Sequence, residues 1–147
     1  MGNYINVPAQ ESVDKSIMNS IKKVKTEKCF EAFDDYYKNY YPRTELTLEE
    51  FDDIFSPIIN NTKAVHAKLK QADDTVNMYE AFVNFTVFSN GKFDVKLRGL
   101  FGSFDVDSGG SIDLKEFMSF LSAAIYGLCK LLDIKANLEG KVGKYAM

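Results

Sequence analysis

The residues best suited to chemistry lie in a twelve-residue stretch, 105–116, which reads Asp-Val-Asp-Ser-Gly-Gly-Ser-Ile-Asp-Leu-Lys-Glu. Calcium is a hard cation that takes six to eight oxygen ligands, and a loop of this length supplies them from positions 1, 3, 5, 7, 9 and 12. Carboxylates stand at positions 1, 3, 9 and 12, the ninth acting through a water and the twelfth with both oxygens. The candidate metal ligands are Asp105, Asp107, Ser111 (through its backbone carbonyl), Asp113 and Glu116.

Two glycines modify this loop. Gly110 at position 6 suits a sharp turn, where a side chain would be costly. Gly109 occupies position 5, where a polar side chain usually reaches the ion, so a water would have to replace one ligand. We therefore expect one Ca²⁺ site with a dissociation constant of about 10⁻⁷–10⁻⁵ M or weaker, with Mg²⁺ as a candidate occupant at rest. The alternative is an acidic turn between two helices that binds nothing.

Two upstream segments repeat the end of this loop but not its ligands. An apolar residue followed four positions later by glutamate occurs at 46–50 and 76–80, as it does at 112–116. The corresponding twelve-residue loops are 39–50 and 69–80. The first has Tyr41, Pro42, Arg43 and Thr44 at positions 3 to 6, and the second begins with Leu69 and has Gln71 at position 3. Neither loop is expected to bind calcium.

Hydrophobic periodicity predicts helices along the whole chain and no long strand. The predicted helices span residues 11–25, 29–37, 48–55, 62–70, 79–88, 93–104 and 114–134. The predicted fold class is all-α, made of helix–loop–helix repeats with short β-pairing between loops. Its segments are an N-terminal arm with a basic amphipathic helix (1–28), a degenerate pair of repeats (29–90), a repeat with an intact calcium loop (91–135) and a C-terminal tail (136–147).

These motifs resemble the EF-hand proteins of the neuronal calcium sensor and recoverin family, with the calcineurin B-like regulatory proteins as relatives. The resemblance covers roughly residues 29–130 and is most specific over 88–126. In that family a Cys-Pro pair disables the first loop at the positions of Tyr41 and Pro42. The chain departs from the family in its second loop, which is usually competent, and in having no fourth acidic loop after Glu116. The third hand must then stand alone, pair with a tail element or pair with another molecule.

Composition narrows the class of protein. The chain has 147 residues, of which 46% are hydrophobic and 12 are phenylalanine, which is typical of a folded protein. The formal charge of −3 provides no basic field for nucleic acid. Cys29 and Cys129 fit a reduced cytosolic protein, and neither a signal peptide nor a membrane-spanning run is visible. We expect a cytoplasmic location, with cytoskeletal or peripheral-membrane attachment as alternatives.

The predicted helix 114–134 is apolar on nearly all sides and should be buried on nearly all sides. It either packs as core or docks a target protein, or a second copy in a homodimer, along its surface or a groove. Met1-Gly2 raises the question of acylation, although Asn6 stands where Ser or Thr is preferred. Membrane contact is expected only if Gly2 is acylated, with the lysines of 15–28 as the second signal.

Catalysis is not expected, because the one histidine, His66, has no catalytic partner suggested by the sequence. The first functional hypothesis is a regulatory subunit or adaptor that changes its contact with a target protein on binding one calcium ion. The alternative is a constitutive structural module of a cytoskeletal or axonemal assembly, in which calcium only stabilises the fold. A simple calcium buffer is a third reading, poorly served by one weakened site.

Overall fold

A computed structural model of the chain describes residues 9–104 and 112–132, with side chains from residue 15 onward. Helices dominate this part of the chain, and two short strands pair between them. The elements are α1 (Ala9–Lys23), α2 (Thr26–Asn39), β1 (Glu45–Leu46), α3 (Leu48–Phe55), α4 (Thr62–Leu69), β2 (Val76–Asn77), α5 (Met78–Phe88), α6 (Phe93–Phe104) and α7 (Leu114–Leu131). The expectation of a helical fold with short β-pairing is confirmed, and the predicted bounds of α3 and α6 match the structure.

The two strands join the first two loops of the chain. β1 and β2 are antiparallel, with Leu46 opposite Val76 and Glu45 opposite Asn77. Both apolar side chains of the pair are fully buried. The first two helix–loop–helix units, α2–β1–α3 and α4–β2–α5, are therefore held together at equivalent positions of their loops.

The core is aromatic and centres on α5, whose side chains are buried from Ala81 through Thr86. Phe85 packs edge-on against Phe55 of α3 with ring centroids 4.9 Å apart, and Phe82 lies 4.5 Å from Phe33 of α2. Burying a side chain of this size contributes about 1.5–3 kcal/mol. The α5 helix thus connects α2 and α3 to the elements that follow it.

The N-terminal helix also belongs to this core. α1 packs on α5, and its apolar residues Ile17 and Ile21 are buried. The segment that follows α1 is hydrogen-bonded to the connection between α5 and α6. The backbone carbonyl of Asn90 accepts a hydrogen bond from the Thr26 N–H, and the Asn90 N–H donates one to the Val24 carbonyl. The lysines predicted to decorate this region lie on the solvent side. They are Lys15, Lys22, Lys23, Lys25 and Lys28.

The last two helices are less buried than their sequences suggest. On α6, Leu100 and Phe104 are buried but Phe93 is 74% exposed. The expectation that α7 is buried on nearly all sides is wrong. Only Ala123, Gly127 and Leu131 are buried on α7, because this line of mostly small residues is the side that meets α5. No helix in the described ranges is long and apolar enough to cross a membrane.

Candidate metal centre

Two of the five predicted ligands lie at the start of α7 and hold each other in place. Asp113 is the N-cap residue, and its Oδ1 accepts a hydrogen bond from the Glu116 backbone at 2.8 Å. In return, Glu116 Oε1 accepts one from the Asp113 backbone at 3.0 Å. This reciprocal capping box satisfies two backbone donors at the start of the helix. It also fixes the residues at positions 9 and 12 of the predicted loop against one another.

The other three predicted ligands, Asp105, Asp107 and Ser111, lie outside the described residues, as do Gly109 and Gly110. The flanking elements are described: α6 ends at Phe104, directly before position 1, and α7 starts at Leu114, directly after position 9. Within the described ranges no group of three or more His, Cys, Asp or Glu side chains could hold a metal ion. With three of the five predicted ligands outside those ranges, the calcium site stays a prediction.

The first loop has the same helix start but carries its own cation. Thr47 and Glu50 form a capping box at the start of α3, at positions 9 and 12 of loop 39–50. The guanidinium of Arg43, at position 5, forms an ion pair with Glu50. Burial raises the pKa of Glu50, but hydrogen bonds from Thr47 and Arg43 outweigh it, so the pKa is lowered and the carboxylate stays charged. A protein cation therefore meets the carboxylate that a calcium ion would require.

In the second loop, the glutamate at position 12 forms an ion pair with a lysine from outside the loop. Asn77 at position 9 caps α5, its Oδ1 accepting from the backbone of Glu80 at position 12. The ammonium of Lys130 on α7 lies 2.5 Å from Glu80 Oε1. Asp74, at position 6, has a φ of 67° and so takes the left-handed turn that Gly110 is expected to take in the third loop. The second loop therefore has a left-handed residue at position 6 but lacks the ligands of a calcium site.

The same local pattern therefore begins three helices. Thr47, Asn77 and Asp113 are each N-caps, and a glutamate follows each cap after three residues. A Ser, Thr, Asp or Asn cap with glutamate at the third helical position is a recognised start signal. The spacing between apolar residue and glutamate that was found in the sequence thus has a structural cause, which is a repeated helix start.

A groove of about 960 Å³ opens beside the first turns of α7. Its walls come from the end of α6, the start of α5 and one side of α7. The lining includes Leu114, Met118 and Tyr126 as apolar or aromatic surface and Glu80 and Glu116 as acidic groups. The groove therefore lies between the glutamates at position 12 of the second and third loops.

Sequence reasoning does not predict the ion-pair partners of Glu50 and Glu80, which are Arg43 and Lys130. From the sequence, Arg43 is only a residue unsuited to bind calcium. A cation at position 5 together with a retained glutamate at position 12 was the available signal for an internal ion pair. Lys130 gives no comparable signal, because it lies 50 residues from Glu80 and reaches it only through the packing of α7 on α5.

No protein-family model matches this chain. No solved structure matches it either.

Proposed function

We propose that the chain is an EF-hand protein whose third hand binds one Ca²⁺, and that it acts as a regulatory subunit or adaptor for a target protein. The observation that carries this proposal is the reciprocal cap of Asp113 and Glu116 at the start of α7. It holds the residues at positions 9 and 12 at the first turn of a helix, next to a loop with carboxylates at positions 1 and 3.

Two further features support an EF-hand ancestry for the repeats. The β1–β2 pairing joins position 8 of one loop to position 8 of the next, through Leu46 and Val76. The left-handed residue Asp74 stands at position 6 of the second loop. Both are features that the loop pattern itself requires, and both occur in loops that lack calcium ligands.

In the third hand, Asp105, Asp107, Glu116 and the backbone carbonyl of Ser111 would hold the ion, with Asp113 acting through a water. These oxygen donors suit Ca²⁺, and Mg²⁺ is the competing ion at rest. A carboxylate has about four lone-pair sites, so the single capping bond to Asp113 Oδ1 does not use up the acceptor capacity of that side chain. The glycine at position 5 is the reason to expect modest affinity.

The output would be altered contact between the α6–α7 region and a target protein. Leu114 is 76% exposed and Phe117 about half exposed, and both lie on the first turns of α7 beside the candidate ligands. A second copy of the chain is the alternative occupant of this surface. The expected location is cytoplasmic. Membrane contact would require two signals. One is acylation of Gly2, which lies outside the described residues, and the other is the group of exposed lysines around α1.

A constitutive structural module is the second candidate function. It is favoured by the first two loops, where Arg43 and Lys130 already neutralise the glutamates at position 12. The glutamates of those loops are thus balanced by protein cations, and in a structural module calcium at the third hand would only add stability. A hydrophobic dye separates the two functions, because a regulatory protein should bind more dye with calcium and a structural module should not.

Titration calorimetry with Ca²⁺ on the wild-type chain and on Glu116→Gln tests the ion site. Glutamine keeps an acceptor for the Asp113 backbone but loses the charge and the two-oxygen contact with the ion. The matched control is Glu50→Gln, the same change at position 12 of the first loop. We expect one site in the wild type and in Glu50→Gln, and none in Glu116→Gln. No calcium heat in the wild type, or unchanged binding in Glu116→Gln, would refute the site.

A further inference from the structure

The C-terminal end of α7 is fixed to α5 by an ion pair. Lys130 Nζ lies 2.5 Å from Glu80 Oε1, and the two side chains are only 27% and 13% exposed. Partly buried charges interact more strongly than surface pairs, because less water screens them. Removing one partner would leave the other charge poorly solvated. This pair is therefore a stronger contact than the exposed ion pairs elsewhere on the surface.

The backbones of α5 and α7 also pack closely near this ion pair, which strengthens the contact between the two helices. Asn84 Nδ2 donates to the Glu80 carbonyl at 2.9 Å and reaches the carbonyl of Ala123 on α7 at 3.4 Å. At Gly127, an added Cβ would come within 2.2 Å of Asn84 Nδ2 and 2.8 Å of the Glu80 carbonyl. The two helices thus touch where neither can rotate without breaking polar contacts.

The N-terminal end of α7 carries two of the candidate calcium ligands, Asp113 and Glu116. α7 has 18 residues, which corresponds to a rod about 27 Å long, and Glu116 lies in its first turn. Calcium binding to sensor EF-hands changes the angle between the two helices that flank the loop. Leu100 and Phe104 of α6 are buried, and α7 is held on α5 by Ala123, Gly127 and Leu131. A change in the angle between α6 and α7 therefore has to disturb the contact of α7 with α5 or that of α6 with the core.

We propose that the Lys130–Glu80 pair is a clamp that holds α7 against α5 and lowers the calcium affinity of loop 105–116. This inference rests on the proposed function. When the ion turns α7, the clamp must yield, and the free energy of breaking it is subtracted from the binding of the ion. The glutamate at position 12 of the second loop thus regulates the third hand rather than binding a metal of its own.

A direct electrostatic effect of Lys130 on the ion is small by comparison. Along the helix, fourteen residues separate Lys130 from Glu116, about 21 Å, whereas the Debye length is about 8 Å at physiological ionic strength. Loss of the lysine charge therefore changes calcium affinity mainly through the position of α7.

The clamp itself is tested without calcium, by the rate at which Cys129 is alkylated. Cys129 is half-buried beside Lys130, whereas burial raises the pKa of the Cys29 thiol to about 11 and makes it a poor nucleophile. We expect Lys130→Met, Glu80→Gln and the double variant to be alkylated severalfold faster at Cys129. The control is Lys22→Met, which removes an exposed lysine of α1 and should leave the rate unchanged. Equal rates in all proteins would overturn the clamp.

Its regulatory effect is tested by calcium titration of the same variants. We expect each single variant to bind calcium about fivefold or more tightly than the wild type, and the double variant to gain no more than either. Additive gains would show that the two residues act separately and would overturn the proposal, as would unchanged affinity. If no variant binds calcium, the proposed function and the regulation fall together, while the alkylation rates still decide whether the clamp exists.

Discussion

The backbone of Leu46 pairs with that of Val76, so that the eighth positions of the first two loops face each other across a two-stranded sheet. Both side chains are completely buried, and the carbonyl of Thr44 also accepts a hydrogen bond from the Met78 backbone. This short sheet is the direct link between two loops that lack the oxygen ligands of a calcium site. Its stability therefore depends on packing rather than on a metal.

Leu46→Ala should lower the free energy of unfolding by about 2–5 kcal/mol, because it opens a cavity in a fully buried site. The measurement is urea unfolding followed by far-ultraviolet circular dichroism. Leu48→Ala is the matched control, since Leu48 is two residues away and more than a third exposed. It should change stability by no more than about 0.5 kcal/mol. Similar losses in both variants would contradict the role given to the sheet.

Gly127→Ala should destabilise the contact between α5 and α7. Its Cβ would meet the Glu80 carbonyl, which cannot move aside as a flexible side chain can, so we expect a loss of about 1–3 kcal/mol. Gly102→Ala on α6 is the control, because an added Cβ there has nothing within 4 Å. Alanine is favoured over glycine in a helix by about 0.5–1 kcal/mol, so this variant should be slightly more stable. Thermal unfolding of both variants gives the comparison.

The α7 contact also shows how far the sequence could lead. The starts of α3, α6 and α7 follow from caps and apolar spacing, which are local signals, and they were predicted correctly. The packed side of α7 has no such signal, because apolar residues occur on nearly all sides of this helix. Helices that approach closely exclude large side chains, so the line through Gly127 is the buried one. The Lys130–Glu80 pair depends on that packing and has no local signal at all.

Gly109→Asp should raise the calcium affinity of loop 105–116, if this loop binds the ion as proposed. The change supplies the side chain that position 5 lacks, and a further carboxylate ligand should strengthen binding by about tenfold, equivalent to about 1.4 kcal/mol. Titration calorimetry measures the change. Gly109→Ala is the control, because it limits backbone freedom equally but adds no oxygen. A gain in both variants would mean that loop rigidity, not the missing ligand, limits affinity.

Protonation of His66 should reduce stability on the acid side of neutrality. The side chain is only 5% exposed, and its Nε2 has no hydrogen-bond partner among the described residues. Burial lowers the pKa of this imidazole below its ordinary value of 6.5, against an opposing hydrogen bond to the Leu46 backbone. Below pH 6.5 the unfolded chain therefore binds more protons than the folded one. The full contribution of the neutral imidazole to stability should be present above pH 6.5. It should fall as the pH decreases toward the lowered pKa, by at most about 1.4 kcal/mol per pH unit.

Urea unfolding between pH 7.5 and 5.5 measures this dependence of stability on pH. His66→Gln, which keeps an N–H donor but cannot titrate, should flatten it, and an equal slope in both proteins would assign the effect to other groups.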